Sequence, residues 1–191
     1  QSTETHLRGQ LDNVLGVSLA LELYRRGFGG TTIFTTQEEC GRSWRFVIEH
    51  FRRLGRRTDR LLVLDTSPFP DEESAASWDV VLRTADATAS FAEGITAEVA
   101  AHASDLGLLA IVKDAVVQEE NRRRQERGES PRSLGRTELG RVIAGSGGAI
   151  TGTTVQLPTF GYQTPRETVS LAAMAATRRL LERVLGLGGG D

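Results

Sequence analysis

At 191 residues, with 39% hydrophobic and 25% charged positions, the chain is long enough to bury a core and too apolar to be disordered. A net charge of −2, with no aromatics interleaved among its arginines, argues against a nucleic-acid surface. No apolar run approaches the roughly 20 residues that span a bilayer, and a single cysteine, Cys40, excludes an internal disulfide and points to a reducing cytoplasm.

The first ten residues, QSTETHLRGQ, are polar and carry no signal-peptide core. Residues 13–26 place Val14, Val17, Leu21 and Tyr24 at helical spacing, with Gly27 as a stop. TTIFTT (31–36) reads as a strand, and 43–54 as a helix with Val47, His50, Phe51 and Leu54 on one face. RLLVLD (60–65) is an apolar strand ending in a carboxylate, and 78–86 is another strand before a helix over about 95–106. Residues 107–117 read as a strand, the charge-dense 118–133 as a mobile surface loop, and the glycine-rich 144–152 as a second loop. A last strand over 153–159 precedes a closing helix from about 167 to 185, whose stripe is Val169, Ala173, Ala176, Leu180 and Val184. The alternation predicts an α/β domain over 1–186, a three-layer sandwich around a mostly parallel or mixed sheet, with a flexible tail at 187–191.

Carboxylates mark the strand ends. The 31–36 segment runs into Glu38 and Glu39, the 60–65 strand ends on Asp65, and Asp12 precedes the first helix. Ligands of open α/β sheets gather outside the carboxyl ends of strands, and like charges crowded there need a positive partner. Taken singly, Asp12 also reads as a helix cap and Asp65 as a turn former. Together the four suggest a divalent-cation site.

LDNVLGVSLALELYRR, TTIFTTQEECG, RLLVLDTSP and LPTFGYQTPRETVSL resemble, in that order and spacing, the deblocking and glutamyl (tetrahedral) aminopeptidases, a family of dinuclear metallopeptidases. The resemblance runs from about Leu7 to Leu185 and implies a zinc-peptidase-like fold. It implies that Asp12 bridges two metal ions with Asn13 holding it, that Glu39 and Asp65 each ligate one, and that Glu38 is the general base toward the attacking water. Two Zn2+ ions, or Co2+ or Mn2+ in their place, a small peptide or amide substrate, and a homo-oligomer follow from the same resemblance.

The chain departs from the family at three places. Gln163 stands where the family's "His-Thr-Pro" histidine belongs, and a neutral amide is a poorer zinc ligand than imidazole. The family's "Gly-Gly-Thr-Asp" turn reads GRTELG, which keeps Thr137 but brings Arg136 and Glu138 to the substrate pocket; Arg136 hints at an acidic substrate group. The family's N-terminal part, with its first strands and upstream histidine, has no counterpart, so association with a chain that carries it is expected. His50 and His102 fall on apolar helical faces and read as core residues, His6 as an exposed terminal residue, and Cys40 as a small buried hydrophobe. Three readings follow: a metal-dependent aminopeptidase or amidohydrolase, a non-catalytic structural or regulatory relative, and a generic α/β binding domain. The last leaves the carboxylates unexplained.

Overall fold

A computed structural model describes residues 3–187. Its sheet is organised on β5 (Ile150–Phe160), which is buried at nearly every position. Along one edge β5 pairs in parallel with β2 (Thr58–Phe69); along the other it pairs antiparallel with β3 (Val80–Leu82) and then with β6 (Glu167–Ser170). β4 (Ala110–Val112) extends the sheet parallel to β3, and β1 (His6–Gly9) lies antiparallel to β6. Gly152 allows β5 to approach β2 closely, since any Cβ there would collide with the Leu61 carbonyl.

Helices cover both faces. On one face α1 (Val14–Arg25), α4 (Glu93–Asp105) and α7 (Leu171–Val184) pack a core of Leu15, Leu19, Val99, Val155, Leu157 and Leu180, onto which Leu62 and Leu64 of β2 also pack. On the other face α2 (Trp44–Leu54) and α6 (Glu138–Gly145) bury Val47, Val142 and Leu139 against Ile150, Leu61 and Val63. The four consecutive aliphatics of β2 therefore serve two layers alternately, as the period-2 pleat requires. The result is the three-layer sandwich with a mixed sheet. Two further helices follow strands: α3 (Glu72–Ala76) lies beside β2 and β5, and α5 (Lys113–Glu126) continues directly from β4.

Several local expectations change. Residues 31–36 form no strand; Tyr24 Oη donates to the Gly30 carbonyl (2.9 Å) and accepts from Thr32 N–H (3.1 Å), holding the segment irregular. β-branched residues favour a pleated surface only where a neighbouring strand supplies one. The first helix forms, but its buried stripe is Leu15, Leu19 and Leu23, and Val14, Val17, Leu21 and Tyr24 are exposed. The strand expected at 78–86 shortens to β3, and that at 107–117 shortens to β4 before turning into α5, which occupies most of the expected mobile loop. Glu119 pairs there with Arg122 and Arg123 three and four residues on, spacings that stabilise an exposed helix.

α6 was not anticipated. Thr137 caps it, its Oγ1 accepting from Gly140 N–H (3.1 Å), while Asp86 accepts from the Thr137 N–H (2.7 Å) and hydroxyl (2.9 Å). A side chain on residue 140 would strike the Asp86 carboxylate, so the glycine is required. β1 is also new, and the closing helix starts at Leu171, capped by Ser170, because 167–170 are used as β6. Of the expected tail only Leu187 lies among the described residues. Among those residues no helix is long and apolar enough to cross a membrane.

Candidate active site

Asp12 sits in the turn between β1 and α1, and its place is set by partners from distant segments. Glu167, buried in β6, accepts from the Leu11 N–H (3.2 Å) and Asp12 N–H (3.1 Å) through Oε2 and from Thr159 Oγ1 (3.0 Å) through Oε1. Asn13 caps α1, accepting from Gly16 N–H (2.9 Å), and its Nδ2 donates to the Leu64 carbonyl (2.6 Å). Residue 16 must be glycine, since a Cβ there would press on the Asn13 side chain. The Asp12–Asn13 peptide bond is cis.

Contrary to the expectation that the strand ends on it, Asp65 lies within β2, which continues paired with β5 to Phe69; it is partly buried and accepts from Thr66 N–H (2.8 Å) and, more loosely, from Gln156 Nε2 (3.4 Å). Arg83 Nε orients Gln156 by donating to its Oε1 (3.0 Å). Past Asp65, Lys113 donates to Ser67 Oγ (2.8 Å) and to the Pro68 carbonyl, and lies over the Phe69 ring. Its own burial pushes the ammonium down to about 8. The strand end is thus braced from behind.

Glu38 and Glu39 lie on the irregular turn before α2, closed by Gly41 N–H donating to the Glu38 carbonyl (2.6 Å) and by Gln37 in the left-handed region (φ 66°). Arg141 of α6 reaches Glu38 Oε1 (3.3 Å), and Gln163 Nε2 donates to Glu39 Oε2 (2.9 Å).

These four carboxylates face one cavity of about 620 Å³ between α1, α2 and β2. Desolvation and the crowding of like charges register in the acidities of Asp65 and Glu38. Asp65 is raised well above the ordinary carboxylate range, first by desolvation and then by the Asp12 charge, with Glu38 adding to it. Glu38 is raised by desolvation and by Glu39 and Asp12, against a lowering pull from Arg141. Tyr162, beside Gln163, is pushed far above its usual value by burial and by Asp12, so its hydroxyl stays a donor at any working pH.

The carboxylates offer the oxygen donors that divalent ions accept; Asp12 and Asp65 are partly buried and Glu38 and Glu39 exposed, and like charges gathered on one cavity favour a cation between them. As placed, the group is open: among the described residues no three His, Cys, Asp or Glu side chains stand close enough together to hold a metal ion. By donor chemistry the residues fit such an ion. By spacing they would have to draw in around it.

The remaining sequence candidates fall as follows. Gln163 is exposed in a left-handed conformation (φ 54°) with its amide N–H turned to Glu39. Arg136 is exposed and does not line the cavity; Thr137 is the buried cap of α6; Glu138 is buried and lines it. Glu138 Oε2 accepts from Ser43 Oγ (2.7 Å), whereas Oε1 has no hydrogen-bond partner, and desolvation raises the group. His50 lines the cavity, while His6 accepts or donates at Thr5 Oγ1 (2.8 Å) and approaches Glu72 elsewhere. His102 is half-buried with Nδ1 unpartnered, not a satisfied core histidine, and Cys40 is exposed rather than buried. Sequence reasoning passed over Glu167, Gln156, Arg141 and Tyr162. Only Glu167 and Tyr162 left a signal, standing within the same GYQTPRET stretch as Gln163.

The class that this architecture defines is the α/β sandwich of the solved TET-type peptidases. The particular neighbours are a TET aminopeptidase from a marine sediment archaeon (Thaumarchaeota), 17% identical with a TM-score of 0.70, and an aminopeptidase from the archaeon Desulfurococcus kamchatkensis, 13% identical with a TM-score of 0.69. The Pyrococcus horikoshii TET1 peptidase, which can assemble into a tetrahedron or a large octahedral shell, is 16% identical with a TM-score of 0.62. The first two cover 100% of this chain and the third 93%, yet the chain spans only 51%, 54% and 49% of theirs, about half. At this identity the likeness is one of fold. No family model and no curated protein sequence matches.

Proposed function

We propose that the chain carries the carboxylate part of the active site of a metal-dependent hydrolase of the aminopeptidase type, cleaving peptide or related amide bonds. The observation that carries this reading is the meeting of Asp12, Glu38, Glu39 and Asp65, from three separate segments, at one cavity of a fold shared with solved aminopeptidases.

Asp12, Glu39 and Asp65 would hold the metal, Zn2+ or alternatively Co2+ or Mn2+, with Gln163 able to add its carbonyl oxygen if its amide turns over. A divalent ion bound there supplies Lewis acidity toward the scissile carbonyl and makes water acidic enough to attack near neutral pH. Glu38 would accept the proton of the attacking water; its raised affinity for protons brings it nearer the acidity a base needs at neutrality. Arg141 tempers that rise and fixes the carboxylate's direction. Tyr162 offers a phenolic hydrogen to oxygen atoms in the same space. Glu167 does no chemistry but sets the backbone on which Asp12 is presented. Glu138, with Thr137 and Arg136 behind it, borders the substrate side of the cavity. The assembly of a neighbour into a tetrahedron or octahedral shell supports a homo-oligomer; a small peptide substrate and a cytoplasmic setting belong to the same proposal.

A second reading has its own observation. Gln163 and Arg141 already engage Glu39 and Glu38, as hydrogen-bond donors would in a relative that keeps the fold and has given up the metal. Titrating the purified protein with Zn2+, Co2+ and Mn2+ while following heat release and melting temperature separates the two. The hydrolase binds at least one of these ions, and Glu38→Gln keeps the binding while losing about 100-fold or more of amide hydrolysis. No binding, with amide hydrolysis unchanged in Glu38→Gln, overturns it.

A further inference from the structure

Gln156 of β5 has Val81 of β3 and Asp65 of β2 as its cross-strand partners on either side. The pleat turns residues in register to the same face, so one row of side chains leads from β3 to the acidic cavity. The chain leaves β3 as Arg83-Thr84-Ala85-Asp86. The two charged side chains of that turn lead to two different carboxylates of the site, although neither lines the cavity.

Arg83 reaches Asp65 through Gln156. Its Nε donates to Gln156 Oε1 (3.0 Å) and its Nη1 to the Leu134 carbonyl (2.8 Å). A guanidinium only donates, so the buried Gln156 amide must keep its oxygen toward Arg83. Its nitrogen then faces Asp65 Oδ2 (3.4 Å) and the Thr66 carbonyl (3.3 Å). Without the arginine the amide is free to turn over and set an oxygen against the Asp65 carboxylate.

Asp86 reaches Glu38 through α6. It is 6% exposed; Oδ2 accepts from the Thr137 N–H (2.7 Å) and hydroxyl (2.9 Å), and Oδ1 from the Thr88 (2.6 Å) and Ala89 (2.9 Å) N–H groups. Thr137 caps α6, and one turn on Arg141 N–H donates to the Thr137 carbonyl (3.3 Å) while its guanidinium meets Glu38 Oε1 (3.3 Å). The 84–91 segment is itself fixed. Phe91 N–H donates to the Thr84 carbonyl (2.8 Å), Asp86 N–H to the Ala89 carbonyl (3.0 Å), and Thr84 donates its N–H (2.9 Å) and hydroxyl (2.6 Å) to the buried Asp114 carboxylate. Phe91 packs on Leu139 and Ile143 of α6.

We propose that Arg83 and Asp86 are positioning residues of the acidic site: Arg83 sets the Asp65 carboxylate through Gln156, and Asp86 sets Glu38 through α6 and Arg141. The assignment rests on the hydrolase reading, in which Asp65 holds the ion and Glu38 takes the proton. One turn at the end of β3 then supports ligand and base together, and each arm carries a different property of the site.

That difference separates positioning from mere bracing of the fold. On the full protein, calorimetric titration with Zn2+ and Mn2+ is paired with hydrolysis of the amide substrate used for Glu38→Gln. Arg83→Met should weaken ion affinity about 10–100-fold, and saturating ion should restore kcat. Asp86→Asn should leave ion affinity and KM near the parent's and lower kcat by about 10-fold or more, with no recovery on adding ion. If either variant fails to fold, Arg83→Lys, which keeps the charge without the fork, and Thr137→Val, which keeps the N–H without the hydroxyl, read the same arms with smaller losses. Variants that bind ions and turn over like the parent overturn the proposal and leave the hydrolase reading standing. Variants that lose ion affinity and kcat together, beyond rescue by excess ion, overturn it too, since a loosened fold does that. A parent that binds neither ion overturns the hydrolase reading and the proposal with it. A parent that binds ions without hydrolysing amides overturns the role of Asp86 and leaves Arg83 decided by ion affinity alone.

Discussion

β5 and β2 run side by side in parallel, paired from Leu61 with Gly152 through to Phe69 with Phe160, yet one is buried almost throughout and the other half-exposed over most of its length. Their compositions do not explain this, for both are rich in aliphatic and β-branched residues. β5 has strands on both edges and β2 on one. Burial here is a property of the neighbour, and the four aliphatics of β2, Leu61 to Leu64, are only partly buried and line the open cavity.

That contrast can be broken by truncation. Leu157→Ala in β5 removes a fully buried side chain and should cost about 2–5 kcal/mol. Leu62→Ala in β2, whose side chain is only partly buried, should cost clearly less; urea unfolding of both variants reads the difference. Glu167→Gln is next. It puts an amide N–H2 where one carboxylate oxygen accepted, and should cost about 1–3 kcal/mol while blunting any melting-temperature rise caused by divalent ions.

Asp65→Asn sharpens the comparison at the strand ends and should act with opposite sign in two conditions. Asp65 holds its proton more tightly in the folded state than in the unfolded, so its ionised form opposes folding. That penalty is absent below the ordinary carboxylate range and grows as pH rises through the interval between the unfolded and the raised folded value. Without metal, the Asp65→Asn variant should therefore be more stable than the parent at pH 7, by about 1–2 kcal/mol, with the advantage vanishing near pH 4. With a divalent ion present the order reverses. A metal-free parent whose stability rises across that pH interval, relative to the variant, would contradict the assignment. The smallest effect is expected at Arg141→Gln: under about 1 kcal/mol in stability, because the pair with Glu38 is half-exposed, and an upward shift of the Glu38 titration.

The layers and the acidic residues were legible because both are carried by local pattern. Runs such as RLLVLD declare themselves, but the strand ends were misjudged: Asp65 falls inside β2 and no strand precedes Glu38 and Glu39. The misreadings have physical causes. α1 is apolar on two adjacent faces, so the stripe of Val14, Val17 and Leu21 competes with that of Leu15, Leu19 and Leu23; only the sheet decides which is inside. The TTIFTT segment has strand composition without a strand to pair with. The helix at 113–126 was hidden by its charge, because Glu–Arg pairs at helical spacing resemble a solvated loop when only composition is counted. Gln156 and Arg141 reach the site through pairing register and a helix–helix approach, which no local window contains. The conformation of Gln163 follows from the turn that carries it.

The Glu167 anchor also sets a timetable. It binds backbone amides 155 and 156 positions earlier in the chain, and β1 and β6 lie side by side over the same stretch. During synthesis Asp12 emerges well before Glu167 and waits, without its fixed pose, until β6 has left the ribosome. The backbone that presents Asp12 is consequently fixed only after Glu167 has been made.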